Sequence, residues 1–299
     1  MAIITALTDM AMGMNRGSSG SAGWDYVIRP SRKWFDLDLR ALFRFRDLVF
    51  MYVRRNLATA YKQTILGPLW YFIQPVMTIL VYMFIFGGLA GISTSGIPKP
   101  LFYMAGILFW NYFTECFNAS SNVFVANAHV FGKVYFPRLV VPLSGLMSGL
   151  LKLGIQLVLF VGIYIWSRLS NDNFSLNFVI LLFPVLIAML AFYGLAWGLV
   201  VSSLTYKYRD MRILIGFVVQ LLMYATPVVY PLETVPDKYK LFISLNPLSP
   251  IFETFKYGCF GIGAMNWIGL AYSLGVLMLA MLGAVLVFNR VEHHFMDCV

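Results

Sequence analysis

The sequence predicts an all-α integral membrane protein with six transmembrane helices, an amphipathic interface helix before the first, and a re-entrant outer segment between spans five and six. Three observations predict it. Of 299 residues, 60 % are hydrophobic and 12 % charged, and the mean hydropathy is +0.76, far more apolar than soluble domains, which are roughly half apolar and a quarter charged. The apolar residues gather into runs that approach or exceed the roughly 20 residues a helix needs to cross about 30 Å of hydrocarbon. The basic residues stand between those runs, mostly on alternate sides.

Residues 1–41 read as a flexible cytoplasmic tail. The first 24 lack the basic start and clean apolar run of a signal peptide, and Gly17, Ser18, Ser19, Gly20 and Ser21 form a linker-like stretch. Over 42–62, Phe45, Leu48, Val49, Tyr52, Leu57 and Ala60 recur at helical spacing. Arg40, Arg44, Asp47, Arg54 and Lys62 form the opposite stripe. This pattern predicts a helix lying on the cytoplasmic membrane surface with its cations near anionic headgroups.

Apolar runs punctuated by Pro, Gly and charge place the spans at about 68–90, 101–126, 139–166, 176–204, 212–231 and 264–288. An even number of spans puts both termini on one side. With that side cytoplasmic, sixteen basic residues lie inside and five outside (Lys99, Arg168, Lys238, Lys240 and Lys256), the distribution that the positive-inside rule favours. Residues 231–263 are semi-apolar but broken by Pro236, Pro247 and Pro250, so they predict short re-entrant helices at the outer side, where protein or a wet cavity must cover irregular backbone. Residues 42–290 thus form one transmembrane domain, and 291–299 a cytoplasmic tail.

Several function classes are excluded by lack of material. The net charge of +9 is distributed between spans rather than along a basic face, so no nucleic-acid partner is expected. Cys116, Cys259 and Cys298 show no close-spaced pairs, and neither a disulfide nor a metal site is expected. His129, His293 and His294 are the three histidines, without a zinc-helix motif or nucleophile elbow, and the thirteen acidic residues are scattered. No Gly-x-x-x-x-Gly-Lys-Ser/Thr loop is present to cradle phosphates, so the chain itself is expected to bind no nucleotide.

Two ionisable residues interrupt the apolar runs. Glu115 lies about 11 residues from the inner end of span two and Lys152 about 14 from that of span three, a depth difference of roughly 5 Å. They are therefore placed to meet. A mid-membrane charge costs at least about 2.5–3.5 kcal/mol on insertion scales, which leaves two readings open: a structural pair, or groups facing a wet channel.

The wording around span one is the most specific. Tyr61, Lys62, Gln63, Thr64, Ile65, Leu66, Gly67, Pro68, Leu69 and Trp70 lead through Tyr71 and Phe72 to Gln74 and Pro75. Gly67 and Pro68 end the surface helix and start the span, Pro standing where no N–H partner is lost. This segment resembles the permease subunits of type-2 ABC exporters of O-antigen, teichoic acid and related polysaccharides. Lys133, Val134, Tyr135, Phe136, Pro137, Arg138 and Pro142 agree with that resemblance, as do Tyr206, Lys207, Tyr208, Arg209 and Asp210, and the ending Phe288, Asn289, Arg290, Val291, Glu292, Phe295 and Asp297. It covers the chain from about Arg46 onward. The tail before Asp36 departs from it in length.

The resemblance implies a homodimer working with two separate ABC ATPase subunits, which carry ATP and Mg, in the inner membrane. Its cargo would be a polyprenyl-pyrophosphate-linked polysaccharide. A helix within 127–136 would dock on the ATPase, through Asn127, His129, Val130, Phe131, Lys133, Tyr135 and Phe136. Arg54, Arg55 and Lys62 would meet the lipid pyrophosphate at its entry, arginine's planar fork suiting phosphate oxygens; plain anchoring to anionic lipid is the alternative. Trp70, Tyr71, Phe72, Phe217 and Tyr224 would line a conduit between two copies, since sugar C–H faces lie well on aromatic rings. The competing readings are an exporter of the same architecture with another cargo, a drug or small glycolipid, and an ATPase-independent secondary transporter. The latter calls for inverted repeats, and none is evident.

Overall fold

The computed structural model describes residues 39–296 apart from 63, 132, 134–135, 171–175, 206–209 and 264, and among the described residues every regular element is helical. Residues 1–38 of the expected tail, Tyr206 to Arg209 of the motif ending at Asp210, and Cys298 lie outside the described residues, and the last three residues of that tail are helical.

The chain begins with α1 (Leu39–Arg44) and α2 (Arg46–Tyr61), separated by a break at Phe45, so the expected single interface helix is two helices. Tyr52 and Val53 are buried, Phe45, Leu48, Val49 and Leu57 partly so, and Arg54 and Lys62 are exposed. Five of the six apolar residues of the predicted stripe are thus at least partly buried, and the side chain of Ala60 lies outside the described residues. After Gly67, held at φ +49°, a turn of 3-10 helix (Gly67–Leu69) leads into α3 (Trp70–Tyr82), which widens to a π-helix over Met83–Leu89. The Lys99 ammonium donates to the Gly87 carbonyl (2.8 Å), supplying a partner at a helix end that has none of its own.

Then come α4 (Lys99–Ser121), α5 (Val123–Phe131), α6 (Val140–Leu169), a 3-10 segment (Phe178–Leu182) running into α7 (Phe183–Thr205), and α8 (Met211–Tyr224). The remainder is short 3-10 helix (Leu232–Thr234), α9 (Asp237–Leu245), α10 (Ser249–Phe260) and α11 (Trp267–Met296). α11 continues through residues expected to form a tail after 290. Asn122 separates α4 from α5, its side chain donating to the Asn118 carbonyl (3.0 Å), which competes locally with the helical ladder.

Among the described residues, four stretches are long and apolar enough to cross a membrane: Gly67–Leu89, Val140–Leu169, Phe178–Thr205 and Trp267–Arg290. The other two expected spans depart from this pattern for opposite reasons. α4 has the length and buries sixteen of its 23 residues, but its uncovered side carries Asn111 and Asn118, both exposed, and the partly exposed Glu115. α8 is apolar but stops after 14 residues, roughly 21 Å of helix, where the expected span ran on to 231. Pro227 has no N–H to continue the ladder, and residues 225–228 turn instead.

That irregular backbone is satisfied by side chains. Asn246 donates to the Ala225 carbonyl (3.3 Å) and the Thr226 hydroxyl (2.8 Å). The Lys256 ammonium donates to the Pro227 carbonyl (2.6 Å) and stands 4.0 Å from the centre of the Phe102 ring. Lys256 is only 7 % exposed; the sequence placed it among loop cations.

α4 is the axis on which α6 and α7 pack. A Cβ added at Gly198 would stand 2.4 Å from the Ser120 Cβ and 2.8 Å from the Phe117 carbonyl oxygen; at Gly194 it would meet the Cys116 Cβ at 2.6 Å, and at Gly145 the Ala119 Cβ at 2.3 Å. Apolar burial drives helices together weakly in lipid, so close backbone approach at small residues supplies much of the association. α10 closes one end through stacked Phe109 and Phe255 (4.0 Å between centroids) and through the Tyr164 hydroxyl, which donates to the Cys259 carbonyl (3.0 Å).

Replacing Gly194 and Gly198 together with alanine is expected to push α7 off α4 and destabilise the protein by about 1–3 kcal/mol, read as lowered thermal unfolding in detergent. Gly162→Ala, whose Cβ meets nothing within 4 Å, is expected to leave unfolding unchanged or raise it slightly.

Candidate functional site

The segment expected to face an ATPase begins in α5 and runs to the start of α6. Asn127 is buried, its amide donating to the Val123 carbonyl (3.1 Å). Val130 packs partly buried against the core, and Lys133 is exposed with its backbone N–H on the Val130 carbonyl (3.0 Å). The His129 side chain and Tyr135 lie outside the described residues. Phe131 and Phe136 are buried with ring centroids 5.5 Å apart.

These two phenylalanines belong to a longer chain of rings. Phe136 lies 6.1 Å from Tyr52 of α2, Phe131 lies 6.5 Å from Phe124 of α5, and Phe124 stacks on Phe288 of α11 at 5.3 Å. Guanidinium groups cover both sides, Arg55 at 4.2 Å from the Tyr52 ring and Arg138 at 5.6 Å from Phe131. Aromatic pairs of this kind contribute about 0.5–1.5 kcal/mol each beyond burial. The α5–α6 connection is therefore tied to α2 on one side and α11 on the other. Phe124 was not singled out from the sequence, and nothing in the spacing of one chain distinguishes it from ordinary core.

The structure brings Glu115 and Lys152 together. The Lys152 ammonium donates to Glu115 Oε1 and stands 5.7 Å from the centre of the Tyr71 ring. The two side chains retain 40 % and 24 % exposure. Gly149 makes the room, since a Cβ there would meet Glu115 Cγ and Tyr112 Cε2 at 3.3 Å. The pair thus joins α4 to α6 beside α3.

Of the five candidate conduit residues, Trp70, Phe217 and Tyr224 are exposed, and Tyr71 and Phe72 partly so. They lie on two apolar helices that bury little: α3 buries Pro75 and Ile79, and α8 Val219 and Met223. α3 touches α8 where the Tyr82 hydroxyl meets the Met223 sulfur at 3.5 Å. Arg54, Arg55 and Lys62 are exposed on or just after α2, which packs on α6 with Asn56 reaching the Ser148 hydroxyl (3.5 Å).

A double-mutant cycle separates the two readings of the ion pair. Glu115→Gln and Lys152→Met singly are each expected to lower stability by about 1–3 kcal/mol by leaving one charge in a poorly solvated place, and the double variant to recover at least half of that loss. Thermal unfolding in nanodiscs measures it; additive losses would mean that the two groups do not support each other.

Comparison with known proteins places this architecture. Residues 47–260 match the family described as ABC-2 type transporter. The O-antigen export system permease protein RfbA of Klebsiella pneumoniae is 27 % identical over 255 residues, covering 84 % of this chain and 94 % of the relative. The protein of that name from Myxococcus xanthus is 28 % identical over 225 residues, 73 % of this chain and 82 % of the relative. The polysialic acid transport protein KpsM of Escherichia coli is 23 % identical over 204 residues, 67 % and 76 % respectively. The matched region runs from the start of α2 to the end of α10, through the ion pair, the uncovered helices and the ring chain short of Phe288, and the chain belongs to the ABC-2 type transporter family of membrane-spanning permeases.

Proposed function

We propose that this chain is the channel-forming subunit of an ATP-driven exporter that moves lipid-linked polysaccharide of the O-antigen kind across the inner membrane. Two copies form the conduit and two separate ATPase chains, holding ATP and Mg, drive it. The observation that carries this reading is the nakedness of α3 and α8: both are apolar, both display aromatic rings, and each buries two residues. Lipid would cover such faces, but so would a second copy with a passage between. The polysaccharide-export names of the relatives support the cargo class.

In this reading α3, α4, α6, α7, α8 and α11 are the six spans, with both termini cytoplasmic and α2 lying at the inner surface. The segment 231–263 re-enters from the outer side; the short helices there and the side-chain satisfaction of 225–228 support it. ATPase closure pushes on α5 and the 131–138 connection. The ring chain passes that push to α2 through Tyr52 and Phe136, and to α11 through Phe124 and Phe288. Arg54 and Arg55, exposed ahead of α3, meet the pyrophosphate of the entering lipid head with paired, charge-assisted hydrogen bonds.

Purifying the chain with the ATPase encoded beside it tests this. The expected result is a stable two-plus-two complex whose ATP hydrolysis in liposomes rises with polyprenyl-pyrophosphate-linked glycan. Changing Arg54 and Arg55 together to glutamate is expected to lower that stimulation about ten-fold, a loss of roughly 1.4 kcal/mol, with assembly intact. A complex indifferent to the glycan overturns the cargo, and failure to bind any ATPase overturns the exporter.

A further inference from the structure

Between the loop after α3, the end of α8, α10 and the start of α11 lies a cavity of about 310 Å³, at the small end of the roughly 300–1,000 Å³ typical of small-molecule sites. Phe102 at its wall and Ser121 at the other end of α4 are separated by 19 residues of helix, roughly 28 Å, so the cavity lies at the end of α4 remote from α5.

The chemistry of its lining is unbalanced in an informative way. Two cations reach it, and both are engaged: Lys256 donates to the Pro227 carbonyl (2.6 Å) and Lys240 to the Asp237 carboxylate (2.7 Å), whose carboxyl that bond holds below its usual range. The acceptors are largely uncommitted. Glu253 accepts no hydrogen bond among the described residues, and Glu233 accepts one, from the Ser95 hydroxyl to Oε2 (3.1 Å), leaving Oε1 open. Asn266 accepts the Gly269 N–H on its carbonyl oxygen (2.8 Å), which turns its amide nitrogen into the spare donor. The rest of the wall is apolar, including Phe102, Ile97 and Ile262.

A site with spare carboxylate acceptors, engaged cations and apolar patches asks for a ligand rich in hydroxyl donors that also carries C–H faces. An anion would meet Glu233 and Glu253. An organic cation would meet the Lys256 ammonium, which lies one helical turn from Glu253 and acts on it electrostatically. A metal ion finds no group of three ligating side chains among the described residues. We infer that this cavity binds a single neutral sugar residue, its hydroxyls donating to Glu253 and Glu233 and accepting from Asn266, its ring resting on the apolar wall. The inference rests on the reading of the chain as a polysaccharide permease and adds to it a binding point beside the path, at the end of the bundle remote from the ATPase-facing helix.

Saturation-transfer NMR on the full chain in lipid nanodiscs tests it without the ATPase. The probes are the methyl glycosides of mannose, galactose and N-acetylglucosamine at millimolar concentration, with glucuronate and choline as the charged counterparts. Transfer to the ring protons of at least one neutral glycoside is expected, exceeding that to glucuronate and choline. It should fall about ten-fold in Glu253→Gln and Glu233→Gln. Ile262→Trp, which fills the cavity from its edge and removes no polar group, should abolish it. Transfer to none of the neutral glycosides, transfer that survives all three substitutions, or stronger binding of a charged probe each overturns the inference. A permease without this transfer whose assembled complex still answers to lipid-linked glycan loses the cavity alone; loss of the glycan response with transfer retained strikes the exporter reading and leaves the sugar site standing.

Discussion

The positions of α6 and α7 depend on how closely each can approach α4. Gly145 of α6 meets Ala119, and Gly194 and Gly198 of α7 meet Cys116 and Ser120, at separations that admit no further carbon atom. In lipid there is little gain from hiding apolar surface, so van der Waals contact at such crossings decides which helix lies beside which. On the side of α4 that these helices leave partly uncovered, Glu115 takes Lys152 of α6 as its partner. α3 and α8 sit outside this tightly packed centre. Their looseness in the single chain is what leaves two apolar faces for lipid or another copy.

A second constraint acts at the end of α8. Once Pro227 stops the helix, the carbonyls after it need donors, and unpaired backbone groups away from water are costly. Lys256 and Asn246 supply them from α10 and from the turn before it. The same lysine places α10 against Phe102 of α4, so a polar repair and an apolar contact are made by one side chain. The cavity beside it exists because the chain turns there instead of continuing as helix.

Hydropathy made the fold largely legible, with limits that have a physical origin. It located Gly67–Leu89, Val140–Leu169, Phe178–Thr205 and Trp267–Arg290 to within a few residues, because each is long, apolar and mostly uncovered by the rest of the chain. It overran α8, since an apolar run looks the same whether it is helix or turn, and only Pro227 marked the change. Counting depth along two antiparallel helices brought Glu115 and Lys152 into register. The ring chain from Tyr52 to Phe288 was not legible, because its members stand on α2, α5, the connection after it and α11, and no local spacing relates them. Lys256 was read as a loop cation, and its burial becomes visible only with α8 and α10 folded around it.

The most direct measurement is translocation itself. Polyprenyl-pyrophosphate-linked glycan is placed on the outer leaflet of proteoliposomes in which the ATPases face outward, ATP is added, and the fraction of glycan protected from an external glycosidase is followed. Protection is expected to grow only with ATP and only when permease and ATPase are both present. Protection that grows equally without ATP, or an assembled complex that hydrolyses ATP while all of the glycan stays accessible, would contradict it.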